Sequence, residues 1–383
     1  MKKIISVFLI ILFFINQSTF IFALEEGSNI NISSKSAILI DASTGSVLYE
    51  KNCHEKLPPA SVTKVMTMLL ICEALESGKI KINDQVTVSE KASSMGGSQI
   101  FLEVGETQTV DTLLKGIAVA SANDACVAMA EYIGGSVEEF VDMMNKKAKQ
   151  LNMKDTNFVN TNGLPVENHY TSAYDIALMS RELLKHKTIE KYLTIWMDSV
   201  TVGKKQSKIG LANTNKLIKY YNGATGVKTG FTGEAKYCVS ASAKRNNTHL
   251  ISVILGGETS KIRFNDASNL LDYGFANYES VNLCSKDQKM YTLELKKADT
   301  QKIDLLAKED MSILIKKGEN KDFVKKIKIE KDLKLPIKKG TTLGKAMIYK
   351  DDKLLGEVEL VNNKEINKVG YLEMLKRVFS NII

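Results

Sequence analysis

Pro58-Pro59-Ala60-Ser61-Val62-Thr63-Lys64 places a serine and a lysine three residues apart at the start of an apolar, helix-patterned run. On a helix, residues at i and i+3 share a face, so the Ser61 hydroxyl and the Lys64 amine can come within hydrogen-bonding reach. Pro58 and Pro59 suit a helix entry, and Val62, Val65, Met66, Leu69 and Leu70 form an apolar stripe ending near Ser77-Gly78. Burying that stripe fixes the pair. A free lysine is protonated at neutral pH, with a pKa of about 10.4. Burial and a second nearby cation are the two ways to lower it and turn the amine into a base. S-x-x-K also occurs on helices that do no chemistry, so the remainder of the chain must supply the context.

Upstream, Lys2-Lys3 precede an apolar run from Ile4 to Ile15, then Asn16-Gln17-Ser18-Thr19 and Phe20 to Ala23. This pattern predicts a secretory signal peptide over residues 1–23, and hence an exported protein at the extracytoplasmic face of the membrane or in the cell wall. An uncleaved anchor is the alternative, although the run is short for a membrane span. The cysteines, Cys53, Cys72, Cys126, Cys238 and Cys284, are odd in number and contain no C-x-x-C pair. Neither a disulfide framework nor a zinc site is indicated, and no metal or cofactor is expected. Cys238 is read as a packing residue.

Downstream, Ala37–Asp41 and Ser46–Glu50 read as a hairpin around Ala42-Ser43-Thr44-Gly45. A polar stretch from Lys79 to Glu106 reads as loop with short strands. Three helices follow, marked by Leu113, Leu114, Ile117 and Ala118, then Ala125, Val127, Ala128 and Ile133, then Phe140, Val141, Met144 and Ala148. Ala120-Ser121-Ala122-Asn123 lies at the first helix junction, where Ser and Asn are also common caps. A loop over Asn160–Tyr174 overlaps the start of a helix over Ser172–Lys185. The segment Tyr220 to Gly230 contains Gly226-Val227-Lys228-Thr229-Gly230, which fails as a phosphate loop because Val227 stands where a glycine is needed. It reads as a strand leading to further strands at Tyr237–Ala241 and Leu250–Leu255, with a helix from about Ile262 to Ala276. Strands at both ends with helices inserted between them predict an α+β fold, an antiparallel sheet covered by helices.

Beyond about Ser280, period-two runs at Tyr291–Leu295, Ile327-Lys328-Ile329 and Leu333-Lys334-Leu335, with a turn at Asp351-Asp352-Lys353, predict a small β-rich domain over residues 280–366. In residues 367–383, Leu372, Leu375, Phe379 and Ile382 recur at helical spacing. This predicts an amphipathic helix, lying on the membrane surface or docked on its own domain. Net charge is +8, and +6 without Lys2 and Lys3. Between Lys286 and Lys353 stand 19 lysines, no arginine and 12 acids, so the excess is C-terminal. Without arginines and stacking aromatics a nucleic-acid partner is not expected; a solvated face is the plain reading and an anionic membrane or wall polymer the binding one.

S-V-T-K at 61–64, S-A-N at 121–123 and K-T-G at 228–230, in that order, together resemble the active site of penicillin-binding proteins and class A β-lactamases. Pro58-Pro59-Ala60-Ser61, Ser94-Met95-Gly96-Gly97-Ser98, His169-Tyr170-Thr171 and Gly226 to Thr232 look like the low-molecular-mass D-alanyl-D-alanine carboxypeptidases, over about Ser34 to Tyr278. One departure is Lys236, standing before Tyr237 where a glycine is expected. The resemblance implies a catalytic domain over 29–278 that trims peptidoglycan pentapeptide stems and takes β-lactam inhibitors. Ser61 would be the nucleophile, Lys64 its base and Ser121 a proton relay to the leaving amine. Asn123, Lys228, Thr229 and Gly230 would bind substrate, with Lys228 also favouring a neutral Lys64. No glutamate motif for a β-lactamase stands between Asn123 and Lys228. Transfer to an amine acceptor, a DD-transpeptidase, and a penicillin- or wall-binding protein without turnover remain the alternatives.

Overall fold

The computed structural model describes residues 30–380; the expected signal peptide lies outside the described residues. Strands β1 (Ser36–Asp41) and β2 (Val47–Lys51) form the expected hairpin. The Asp41 carboxylate closes its turn by accepting from the Thr44 N–H at 2.7 Å and hydroxyl at 2.8 Å, the local hydrogen bonding for which Asp is favoured in turns. A 3₁₀ turn, Ala60–Thr63, then carries Ser61 into helix α1 (Lys64–Glu76). The predicted apolar stripe is wider than the sequence pattern suggests. Every residue of α1 from Lys64 to Cys72 is buried, because α1 is a central helix surrounded by others.

The Lys79–Glu106 stretch holds β3 (Gln85–Thr87) and the short α2 (Glu90–Ser93); β3 pairs with β4 (Thr107–Thr109). Helices α3 (Val110–Lys115), α4 (Asn123–Gly134) and α5 (Val137–Gln150) are the three expected, with a π turn at Gly116–Ala120 ending α3. Helix α6 (Ala173–Leu183) also falls where expected. The sequence reading passed over α7 (Lys187–Leu193) and the hairpin of β5 (Met197–Val202) and β6 (Ser207–Ala212). The strand read from Tyr220 begins later: Leu217–Tyr220 is a helical turn, α8, and β7 runs Ala224–Thr232. Then come β8 (Lys236–Arg245), β9 (Thr248–Gly257) and α9 (Ser260–Asn277).

The five-stranded sheet has the order β2-β1-β9-β8-β7, antiparallel throughout. Alternation along β9 divides the core into two layers. Ile251, Val253 and Leu255 join the large cluster built on α1, α4 and α6, whereas Leu250 and Ile254 join a second cluster under α9. Both faces of the sheet are therefore covered, which is the α+β arrangement expected.

Directly after α9, β10 (Tyr278–Cys284) pairs with β13 (Met311–Lys316). A second sheet follows in the order β11 (Lys289–Glu294), β12 (Lys302–Ala307), β16 (Lys353–Asn362), β15 (Thr342–Lys350), β14 (Val324–Ile329), over its own apolar cluster. Ser280 Oγ donates to Asp41 Oδ2 at 3.0 Å, tying the two parts together. Leu333–Leu335, read as a strand, lies outside regular structure, because the sheet already ends at β14 and the segment borders a cavity. The last helix, α10, spans Tyr371–Ser380.

Lys236 takes a left-handed φ of 56°, the backbone that a glycine there would adopt without penalty. Its exposed ion pair with Glu258, at 3.9 Å, offsets little of that strain. Lys236→Gly is expected to raise the unfolding free energy by about 1 kcal/mol. Chemical denaturation measures it, and a lowered midpoint would show that the side chain's contacts outweigh the strain.

Candidate active site

Ser61 is delivered by a bent backbone. Ala60 before it has a φ of +47°, a conformation costly for alanine, and the surroundings enforce it. Gly163 lies so close that an added Cβ would be 1.8 Å from the Ala60 carbonyl oxygen. Gly230 of β7 passes on the other side, where a Cβ would come within 2.8 Å of the Pro59 carbonyl oxygen and 3.0 Å of the Ser61 nitrogen. The close approach that Gly230 permits is thus to the Ser61 turn itself, which brings K-T-G against S-x-x-K.

Beneath the turn, Thr63 Oγ1 donates to the Ala60 carbonyl at 2.9 Å and lies 2.8 Å from His169 Nε2. His169 Nδ1 accepts from the Val159 N–H at 3.0 Å, so a neutral ring carries its proton on Nε2 and gives it to Thr63. Burial lowers the His169 pKa to about 4.

Lys64 is fully buried; its Nζ lies 2.9 Å from Ser61 Oγ and 2.7 Å from the Asn162 carbonyl oxygen, to which it donates. The loop carrying Asn162 is held by Asn160, whose Oδ1 accepts from the N–H of Asn162 and Gly163, and by Thr67, which donates to the Thr161 carbonyl at 2.6 Å. Burial is the largest cause holding Lys64 down to about 8, partly opposed by Cys126 and Asp124. Lys228, equally deep in β7, is held well below the ordinary lysine value, first by burial and then by the charge of Lys64. Of the two causes expected, burial and the Lys228 cation, burial is the larger at Lys64. The two amines do face one another electrostatically, so a proton on one disfavours a proton on the other.

The S-A-N segment closes the other side. The π turn ends at Ser121, whose left-handed φ of 63° projects its hydroxyl; that oxygen is buried and has no hydrogen-bond partner among the described residues. Asn123 Nδ2 donates to the Gly96 carbonyl at 2.7 Å, leaving Oδ1 buried and unpartnered. Buried polar atoms without partners are costly and rare, and two here mark a surface awaiting polar ligand groups. Gly97 is needed for this closure, since a Cβ would fall 2.8 Å from Asn123 Nδ2. Thr229 Oγ1 donates to Thr214 Oγ1 at 2.7 Å.

Ser61 and Lys64 thus meet directly, Gly230 brings β7 with Lys228 and Thr229 against the Ser61 turn, and Ser121 and Asn123 stand at the start of α4, which packs on α1. The sequence reading missed three supports. Asp124, fully buried, accepts from the N–H groups of Ile100 and Leu102 and pins the Gly96–Leu102 loop to α4; burial raises its pKa. The buried Arg263 of α9 donates to the carbonyls of Gly230 at 3.0 Å and Cys238 at 3.1 Å, locking β7 to β8. An arginine in helical register with Ala267, Leu270 and Leu271, the buried face of α9, was the signal. Asn162 acts through its backbone, which left no signal. Cys238 is buried with its thiol against the Ala235 carbonyl, as packing predicts. Glu73, Glu182 and His186 converge elsewhere, but Lys147 and Lys185 already pair with the two carboxylates and Glu76 with the imidazole.

A neutral His169 folded against an unfolded value near 6.5 gives stability that is fully present above pH 6.5 and lost as pH falls towards 4, by at most about 1.4 kcal/mol per unit. His169→Gln should flatten the fall of unfolding free energy between pH 6.5 and 4. An unchanged slope would assign that pH dependence to other groups, such as the similarly depressed His249.

Two family models match the chain: D-alanyl-D-alanine carboxypeptidase over residues 23–259, and the C-terminal domain of penicillin-binding protein 5 over 278–368. The chain is 48% identical to D-alanyl-D-alanine carboxypeptidase DacF of Bacillus subtilis, covering 100% of this chain and 99% of that one. To DacC of Escherichia coli it is 34% identical, over 89% and 86% of the two chains. Its fold is similar to penicillin-binding protein 5 of Haemophilus influenzae, with a TM-score of 0.71 at 32% identity over 88% and 98% of the chains. A mutant of the Streptomyces K15 DD-transpeptidase gives 0.61 at 29% identity, covering 64% of this chain and 99% of that one.

Proposed function

The chain belongs to the D-alanyl-D-alanine carboxypeptidase family and is a serine-type D-Ala-D-Ala carboxypeptidase, and from this premise we propose how its cleft divides the work. Peptidoglycan stems as substrate and β-lactams as inhibitors fit the family, whose members act outside the cytoplasm. The single observation that carries the assignment is the fully buried Lys64 amine 2.9 Å from a half-buried Ser61 hydroxyl.

Neutral Lys64 keeps one N–H on the Asn162 carbonyl and turns its lone pair to the Ser61 hydroxyl. Ser61 Oγ attacks the carbonyl between the two terminal D-alanines as Lys64 takes its proton. The oxyanion forms at the Ser61 N–H, at the start of the 3₁₀ turn. Asn123 Oδ1 accepts from the substrate amide, using its unpartnered lone pairs. The terminal carboxylate pairs with Lys228 and accepts from the Thr229 hydroxyl, which turns from Thr214 to reach it; the pairing raises the Lys228 pKa, and the charge on Lys228 favours a neutral Lys64. Substrate binding thereby prepares the base. The Ser121 hydroxyl, free of protein partners, relays a proton to the leaving amine, and D-alanine departs. Water then hydrolyses the Ser61 ester and restores the serine. Residues 29–278 hold this chemistry, and 280–366 form the β-rich domain.

Ser61→Ala is expected to abolish labelling by a fluorescent penicillin and to cut D-alanine release from a pentapeptide at least about 10³-fold. In the wild type, the labelling rate should rise with pH and level off above about 8, where Lys64 is neutral. Equal labelling of the Ser61→Ala variant would overturn the nucleophile assignment, and labelling without D-alanine release would favour a binding protein without turnover.

Export and a membrane-surface position complete the proposal. Among the described residues no helix is long and apolar enough to cross a membrane, so the candidate is α10 lying on the surface. Tyr371 and Leu372 at its start are 78% and 75% exposed, while Arg377 holds it to its domain through the carbonyls of Ala298 and Asp299. Deleting residues 367–383 should release the protein from membranes; retention would point to the N-terminal segment instead.

A further inference from the structure

The lysine excess of the second domain has no part in the cleft chemistry, and its distribution is uneven. On β11, β12, β15 and the turn after β12, lysines have acid partners, Lys289 with Asp304, Lys302 with Glu294, Lys308 with Glu359, Lys345 with Glu357 and Lys350 with Glu319, whereas on β14 Lys326 lies over the Tyr349 ring and Lys325 has no ion pair among the described residues. One end differs. Lys328, Lys331 and Lys334 are exposed, have no ion pair among the described residues, and line a cavity of about 670 Å³. Its wall also includes the apolar Leu333, Ile337 and Leu343, together with Glu330 and Asp332. Lys338 and Lys364, likewise exposed and unpaired, are brought beside it by Asn362, whose Nδ2 donates to both of their carbonyls at 2.9 and 2.6 Å.

This end is also where the chain leaves for α10. Ile337, in the cavity wall, bridges Ile366, and Lys368 bridges Ala298 just before Tyr371. A cavity with apolar walls, a basic rim and a neighbouring helix with exposed Tyr371 and Leu372 is matched to an amphiphile with a negative head. We infer that this end of the β-rich domain docks on a bilayer surface through anionic lipid headgroups, a second attachment beside α10. The inference rests on the extracytoplasmic membrane position proposed above. A surface lysine contributes about 1 kcal/mol near an anionic leaflet, and two weak attachments together hold where one is marginal.

The test is co-sedimentation of the full-length chain with vesicles of phosphatidylcholine, alone or mixed equally with phosphatidylglycerol. Replacing Lys328, Lys331 and Lys334 together by Gln should lower partition onto the anionic vesicles by about tenfold to a hundredfold at low salt, a difference that high salt removes. The same charge removed at the paired Lys308, Lys345 and Lys350 should have a much smaller effect. Equal losses from the two triple variants, or no loss from the first, overturn the inference. So does a first variant that loses binding to soluble poly(glycerol phosphate) but not to vesicles, which assigns the surface to a wall polymer. D-alanine release from a free pentapeptide should stay at the wild-type rate in both variants, which separates this test from that of the catalytic reading. Should the triple variant not fold, Lys338→Gln with Lys364→Gln asks the same question, with a smaller expected loss of about fivefold to tenfold.

Discussion

The structure depends on a lysine amine held inside a protein core. Lys64 has no exposed surface, and an ammonium there would forfeit hydration that two hydrogen bonds only partly replace. The fold places that amine between Ser61 Oγ and a backbone carbonyl, with Lys228 near enough for each charge to oppose the other. Energetic discomfort at Lys64 is what makes it a base near neutral pH, so the site's reactivity is bought with stability.

Holding such a group requires supports on every side, and they come from distant parts of the chain. Gly163 and Gly230 clamp the Pro59–Ser61 bend between a loop and a strand, and in both places any side chain would collide with backbone. The Thr63–His169–Val159 relay fixes the bend from below. Asp124 and Arg263, both buried, satisfy backbone groups of the Gly96–Leu102 loop and of β7 and β8, and so tie that loop to α4 and the two strands to α9. Each support spends a buried polar group and makes hydrogen bonds in return, although Arg263 Nε is left without a partner among the described residues. Ser121 Oγ and Asn123 Oδ1 are likewise buried without partners among the described residues, and in the proposed reaction substrate supplies them.

The second domain follows a different logic. Its sheet is stabilised by its own apolar cluster, and along most of its surface lysines and acids alternate in pairs that contribute little individually. Lys328, Lys331, Lys334, Lys338 and Lys364, without ion pairs among the described residues, stand at the end from which α10 departs, the charge on which the proposed bilayer contact rests.

Much was legible in the sequence because the relevant signals are local. The spacing of Ser61 and Lys64, the S-A-N and K-T-G segments, the alternation along β8 and β9 and the turn at Asp351-Asp352 depend on neighbours within a few residues, where periodicity and turn chemistry act. Local signals also misled. Leu333–Leu335 alternates like a strand but has no neighbour to pair with, and the stripe on α1 concealed a helix buried all round. What only the tertiary structure decided is how segments about a hundred residues apart meet. That Gly163 presses on Ala60, that a backbone carbonyl at Asn162 holds Lys64, and that burial rather than Lys228 chiefly depresses its pKa are long-range facts. A carbonyl is the same at every residue, and burial belongs to the packed whole, so neither leaves a mark in the order of side chains.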